Sequence, residues 1–421
     1  VLHHGSAVRA AMPRGRGRGR GGGWTAGGRG GGHSQATSRG RGSSRGRGGH
    51  PSGRGGVVYP SSRGSSVRVV KRGAKVHTNS GPSRLIASHL AQGRGGHSGG
   101  ALPRDVMLKV GRGPTDTTPG QQVNRWKDVK GHKRPIVHVL TIDADVFSAG
   151  EDGLVKAWNC AQQANGSLQI SEKHSMDCGG SLSSCHYSAA TQWMFVGLAT
   201  GLIKAFNKAS GAQLQLEGHT QKVGAMLWHQ EGSTLALISA GNEPHLRIWV
   251  PSGDQFVCSN TWHSEVRNPR CMVVLNSHLW VGGSDGLRVY NLGTGQPAPD
   301  KLMEKQGVNS LIVFGETVIG VADNGKMEIF DASGRTLAFL KSPCNAAVKA
   351  SQIVQHQKAQ MAILVSAHSD GTVCCYTLPP QEFKLQGWWK QDKCIRTVQD
   401  TGNGMFLTGC TDGSFTVYRW V

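Results

Sequence analysis

The first 100 residues contain no aspartate and no glutamate, and no cysteine precedes Cys160. Basic groups there have no acidic neighbours to neutralise them, so a partner must supply the negative charge. The ten cysteines stand singly apart from Cys374-Cys375, with no CxxC pair. The expectation is reduced, buried thiols in a nuclear or cytoplasmic chain that is not secreted. No apolar run approaches the roughly 18 residues of a membrane span, and no signal-peptide apolar region is present. Catalytic signatures are missing too: no Walker A, GxSxG or HExxH string, and no spaced carboxylate pair on a recognisable scaffold. "GRGRGRGGG" contains GxGxxG, but no strand precedes it and no helix follows it. The chain is therefore expected to be no enzyme, with no catalytic residues and no metal site.

What is present is unevenly charged. The 421 residues carry a formal charge of +21. Residues 1–130 hold 24 Lys and Arg against 3 Asp, whereas residues 131–421 hold 23 of each sign. One strongly basic arm is thus joined to a neutral module. Twenty-eight of the first 100 residues are glycine and Arg-Gly occurs fourteen times up to Arg112. Such a segment recovers too little apolar burial to offset its chain entropy, so disorder is expected over 1–120. Short apolar pieces, "SVRVVKRGAKVH" and "RLIASHLAQG", carry no fold assignment.

The arm's expected work is RNA or ribonucleoprotein binding. A guanidinium pairs with phosphate through two donors and stacks on bases. The candidates are Arg14, Arg16, Arg18, Arg20, Arg29, Arg41, Arg45, Arg47 and Arg54, with Trp24 and Tyr59 as sparse stacking surfaces. An anionic membrane is not the expected partner, because lysines beside an apolar helix face are absent. The arm resembles the RGG-box segments of RNA-associated proteins, which implies arginine methylation.

From Gly131 a pattern recurs: an apolar strand, a turn with Asp-Gly or Asn-Gly, a second strand, and a closing aromatic. The instances are "DVFSAGEDGLVKAW", "WMFVGLATGLIKAF", "LALISAGNEPHLRIW", "HLWVGGSDGLRVY", "TVIGVADNGKMEIF", "ILVSAHSDGTVCCY" and "MFLTGCTDGSFTVY". Their aromatics, Trp158, Phe206, Trp249, Tyr290, Phe330, Tyr376 and Tyr418, lie 48, 43, 41, 40, 46 and 42 residues apart. This period predicts an all-β, seven-bladed WD-repeat β-propeller over 121–421, preceded by the Arg/Gly-rich arm. Gly131-His132 and Gly218-His219 precede two of the inner strands. The first repeat has the family's side-chain set, His132, Ser148, Asp152 and Trp158; the resemblance implies a structural network. The third keeps His219, Ser239 and Trp249, with Pro244 near the aspartate position. A WD repeat stops one strand short of a blade, so "QQVNRWKDVK" at 121–130 is the expected closing strand, with Val123, Trp126 and Val129 as packing residues.

The strings "FVGLATGLIKAFNKASGAQLQLEGHTQKV" and "ILVSAHSDGTVCCYTLPP" through "TDGSFTVYRW" resemble plant and algal WD-repeat proteins that carry CCCH zinc fingers. The resemblance spans about 125–421. It implies a finger of three thiolates and one imidazole before the propeller. Here none can form, so no cofactor is expected in this chain, and zinc only if a finger exists upstream of Val1. "VLHHG" would then be its tail, with His3 or His4 as last ligand.

The functional expectation is a non-catalytic RNA-associated scaffold, its arm on RNA and its propeller on an unidentified protein. The alternative is an assembly hub or ubiquitin-ligase substrate adaptor without direct RNA binding. Against the adaptor, none of "WNCA", "FNKA", "WVPS", "YNLG", "FDAS", "YTLP" and "YRWV" has the arginine of a WDxR string. "GWWK" at Trp388-Trp389 is expected on or beside an outer strand, as packing rather than a partner site.

Overall fold

The computed structural model describes residues 102–103, 106–112, 121–143, 145–164, 166–232, 234–356, 361–402 and 404–420. The chain divides into Val1–His77 and Thr78–Val421, and everything described lies in the second unit. All nine arginines expected to bind RNA, with Trp24, Tyr59, His3 and His4, lie outside the described residues.

The architecture is all-β, seven sheets around a ring, with no helix among the described residues. Blade 1 comprises Ile136–Ile142, Asp145–Gly150, Leu154–Gln162 and Leu168–Asp177. Blade 2 comprises Leu182–Ser188, Trp193–Leu198, Ile203–Asn207 and Gln213–Leu216. Blade 3 comprises Val223–Glu231, Thr234–Gly241, His245–Ser252 and Gln255–His263. Blade 4 has three strands, Cys271–Leu275, His278–Gly283 and Gly286–Asn291. Blade 5 comprises Val308–Phe314, Thr317–Ala322, Lys326–Asp331 and Thr336–Lys341. Blade 6 comprises Val348–His356, Met361–His368, Thr372–Thr377 and Leu385–Lys390. Blade 7 is built from Ile395–Gly402, Met405–Cys410 and Ser414–Trp420. Each inner strand lies beside the next, and the inner strand of blade 7 lies beside that of blade 1.

Blade 7 takes its outer strand from far upstream. Gln121–Lys130 runs antiparallel to Ser414–Trp420, in register from Val123↔Trp420 to Lys130↔Ser414. Val123 and Trp126 are buried, and Arg419 sits 5.0 Å over the Trp126 ring. Outside it, Lys109–Arg112 pairs in parallel. This corrects the expected arm boundary of 120, because the folded unit already includes Leu102. Leu108 is buried, its N–H donates to the Trp388 carbonyl at 2.7 Å, and the Trp388 indole N–H donates to the Pro103 carbonyl at 2.7 Å. Leu102 packs on the apolar cluster between blades 5 and 6, and Leu108 and Val110 on that between blades 6 and 7, and that burial offsets the segment's entropy. A Cβ on Gly387 would meet the Leu108 side chain at 2.5 Å, so glycine there makes room for the strap. Trp389 is buried in blade 6, its ring 5.5 Å from that of Tyr418.

Blade 4 departs from the pattern. Its fourth position is filled by 296–303, bridged only at Leu287↔Leu302 and Tyr290↔Pro297. Pro297 and Pro299 have no N–H to donate, so a continuous ladder cannot form.

The core lies between blades. Trp126, Ile136, Trp158, Leu407 and Phe415 fill the joint of blades 7 and 1. Leu108, Val123, Trp389, Phe406 and Tyr418 fill that of blades 6 and 7. Sheets stacked face to face bury both sides of their middle strands. All of Thr372–Thr377 is buried for that reason, and it reads as a continuous run rather than an alternation.

Candidate functional site

Every inner strand starts from the same rim, and the turns between second and third strands meet it there. One backbone hydrogen bond repeats in all seven blades, from the turn to the loop leading into the inner strand. It joins Glu151 to Pro135, Ala199 to Ser181, Asn242 to Lys222, Ser284 to Arg267, Asp323 to Gly307, Ser369 to Ala347 and Thr411 to Cys394, N–H donor first, at 2.7 to 3.0 Å. The Asp-Gly turns fit because their glycines take positive φ; Gly413 has +81°. A Cβ on Gly413 would lie 2.1 Å from the His132 carbonyl oxygen, while the Gly413 carbonyl accepts the His132 N–H at 2.8 Å. Gly413→Ala is therefore expected to destabilise the ring by about 2 kcal/mol or more, read as a lower urea midpoint with an unchanged slope.

Side chains reinforce the rim. In blade 1 the Trp158 indole N–H donates to Ser148 Oγ at 2.8 Å, and the Ser148 hydroxyl donates to His132 Nε2 at 2.7 Å. His132 Nδ1–H donates to Asp152 at 2.9 Å, and that carboxylate also accepts the Lys133 N–H at 2.9 Å. Burial alone would raise the Asp152 carboxyl, but the His132 and backbone hydrogen bonds outweigh it and hold it below its ordinary value.

Blade 3 repeats the relay through Trp249, Ser239 and His219, at 2.8 and 2.7 Å. The residue expected near the aspartate position, Pro244, takes no part. Glu243 does the work: it takes His219 Nδ1–H and accepts the N–H groups of Thr220 at 3.3 Å and Gln221 at 3.2 Å. Counted from the relay serine, Glu243 holds the place of Asp152: it follows Ser239 by four residues, as Asp152 follows Ser148. Burial lowers the His219 pKa despite the carboxylate beside it.

Three blades replace the relay with a tyrosine. Tyr290 OH accepts the Glu265 N–H at 2.9 Å, Tyr376 OH donates to Ser342 Oγ at 2.8 Å, and Tyr418 OH donates to Gln391 Oε1. One hydroxyl thus spans from third strand to leading loop, a path that takes Trp, Ser and His together in blade 1. In blade 6 the histidine ends the second strand instead: His368 Nδ1–H donates to the Ala346 carbonyl at 2.9 Å and its Nε2 faces Ser366 Oγ at 3.0 Å.

The ring encloses a channel of about 1100 Å³. Lys222, Arg270, Lys349 and Arg396 line it, with Asp323 as the one carboxylate of the lining. Arg270 donates to Asn309 Oδ1 at 2.6 Å and lies 3.8 Å from Asp323, and Arg396 lies 3.3 Å from Glu151. His138 and His186 also line the channel. Burial lowers both to about 4, helped by Arg396 for His138 and by His138 for His186. An unfolded imidazole titrates near 6.5, so the unfolded chain binds more protons between pH 6.5 and 4. Stability contributed by these two histidines is complete above 6.5 and is lost as pH falls toward 4. The melting temperature is expected to drop through that window, with the drop reduced in His138→Gln, as calorimetry across pH would show.

Among the described residues no cluster of three or more His, Cys, Asp or Glu could hold a metal ion. All ten cysteines are free, and burial raises the thiols of Cys178 and Cys410 to about 11 and of Cys271 and Cys374 to about 12. Those thiols are protonated at neutral pH and unsuited to attack.

The WD domain, G-beta repeat family matches residues 212–250, from the outer strand of blade 2 to the third strand of blade 3. The chain is 23% identical over 330 residues to zinc finger CCCH domain-containing protein 17 of Oryza sativa subsp. japonica, across 74% of this chain and 69% of that protein. The WD40 β-propeller domain of Doa1 superposes with a TM-score of 0.57 at 16% identity, covering 70% of this chain and 95% of that one. The computationally designed Ika8 protein gives 0.52 at 17% identity, covering 70% and 99%. Propellers of this type typically serve as scaffolds for protein interactions. The described residues form a seven-bladed WD-repeat β-propeller, and the chain resembles, at a distance, a CCCH zinc-finger protein of rice.

Proposed function

We propose that this protein is a non-catalytic RNA- or ribonucleoprotein-associated scaffold of the nucleus or cytoplasm. The Arg-Gly arm captures RNA and the propeller holds a protein partner. The separation of charge carries this reading: the whole formal charge of +21 falls in residues 1–130. Arginines on glycine spacers each reach a phosphate independently, and binding then releases counterions. Support for the second half is the ring itself, whose Ser148–His132–Asp152 relay is buried and tied to the Trp158 indole, so that the hydroxyl holds the leading loop rather than facing a substrate. An electrophoretic shift with single-stranded RNA tests the division. The full chain should bind, and a chain starting at Leu102 should bind at least tenfold more weakly. Equal affinities would refute it.

A further inference from the structure

We propose that the cleft between blades 3 and 4, on the rim away from the Asp-Gly turns, receives an aromatic side chain from a partner peptide in which lysines or arginines flank that ring. This rests on the reading of the propeller as a protein scaffold and names one site and the chemistry of its partner.

The repeat itself shows what is missing there. In each blade the second-strand residue just before the partner of the closing aromatic faces the following blade. It is Trp193 in blade 2 and Ala236 in blade 3, and an aspartate, histidine, threonine, isoleucine or methionine elsewhere. Ala236 is the smallest of the seven. Trp193 fills the joint of blades 2 and 3, edge-on to Phe256 with ring centroids 5.5 Å apart. One joint later the methyl group of Ala236 leaves a cavity of about 300 Å³, walled by Ile238, Ile248, Trp262 and Leu292. Gly293, on the blade 4 side, adds no side chain to close it. An aromatic ring from outside would take the place that Trp193 takes one joint earlier, against the Trp262 indole.

Charge selects what carries the ring. Glu231 Oε1 accepts the Ser277 hydroxyl at 2.9 Å, and its Oε2 lies 3.5 Å from His229 Nε2. These contacts hold the carboxylate at the mouth while 61% of its side chain stays exposed. The turns of this rim in blades 3 and 4, residues 231–234, 252–255, 276–278 and 292–296, carry Glu231 and Asp254 and no lysine or arginine. Glu316 of blade 5 joins them, accepting Asn276 Nδ2–H at 3.2 Å. In the flanking blades Lys208 and Arg335 are already paired, with Asp143 and Asp331. A cation beside the inserted ring therefore meets carboxylates without displacing an ion pair between basic and acidic side chains. The same charge selects against RNA, because a nucleobase brings its phosphate with it.

The test uses the full chain with isotope-labelled isoleucine methyl groups and the peptide Lys-Lys-Trp-Lys-Lys. That peptide is expected to shift the Ile238 and Ile248 signals, whereas Lys-Lys-Ala-Lys-Lys and Glu-Glu-Trp-Glu-Glu should not. Ala236→Trp fills the cavity from within and should abolish the response without lowering the melting temperature. Should it melt lower, Gly293→Leu obstructs the mouth instead; a Cβ there meets only Asn291 Oδ1, at 3.3 Å. Glu231→Gln should raise the Kd about threefold. A response that persists at full affinity in Ala236→Trp and Gly293→Leu, or that Lys-Lys-Ala-Lys-Lys or oligouridylate reproduces, would overturn the proposal. No shift at either isoleucine, or shifts confined to other blades, would overturn the site and leave the scaffold reading intact. That reading falls separately, if the immobilised full chain retains no protein from a nuclease-treated extract.

Discussion

A chain beginning at Gly131 is expected to lose cooperative folding, whereas one beginning at Leu102 should melt in a single transition. Gln121–Lys130 supplies the outer strand of blade 7 and fixes the last blade beside the first. Removing it exposes the edge of Ser414–Trp420 and the apolar surface that Val123 and Trp126 cover. Two buried side chains and a ten-residue ladder together come to about 5 kcal/mol or more, comparable with the whole net stability of a typical domain. Calorimetry should show a broad, early transition and aggregation. Chains starting at Gln121 and at Leu102 separate the closing strand from the strap: the first should close the ring but melt earlier, because Leu108 no longer covers Gly387. A Gly131 chain as stable as the full protein would contradict this closure.

Asp152→Ala is expected to be the most damaging polar substitution. Its carboxylate is nearly buried and satisfies the His132 ring and the Lys133 N–H. Removing it leaves both donors unpaired, at a cost of about 3 kcal/mol. The four groups act in series, so Asp152→Ala and Trp158→Phe should be less than additive, by about 1 kcal/mol in a double-mutant cycle. Asp145→Ala is the control: its partner Lys173 is largely exposed, and the change should stay within about 0.5 kcal/mol. Additive losses at Asp152 and Trp158 would mean that the relay is not a unit.

The propeller was legible because its seven closing aromatics recur near one period and Asp-Gly or Asn-Gly turns precede most of them. What sequence reading missed follows from geometry. Glu243 lay hidden because Pro244 was read as the residue near the aspartate position, whereas the position four residues after the relay serine holds a glutamate whose carboxylate does the same work. Tyr290, Tyr376 and Tyr418 read as degraded repeats with the relay lost, although their hydroxyls reach the leading loops directly. Leu102 and Leu108 were assigned to the arm because two leucines in a basic segment give no periodicity.

The most direct test of the two-part function is the salt dependence of RNA affinity. The comparison is between the full chain and a variant in which Arg14, Arg16, Arg18, Arg20, Arg29, Arg41, Arg45, Arg47 and Arg54 are all replaced by Gln. The account expects a steep log–log slope for the first and a slope shallower by several units for the second, since each phosphate contact contributes about 0.7 on a single strand. The melting temperature should be unchanged. An unaltered slope and affinity in the variant would contradict the account.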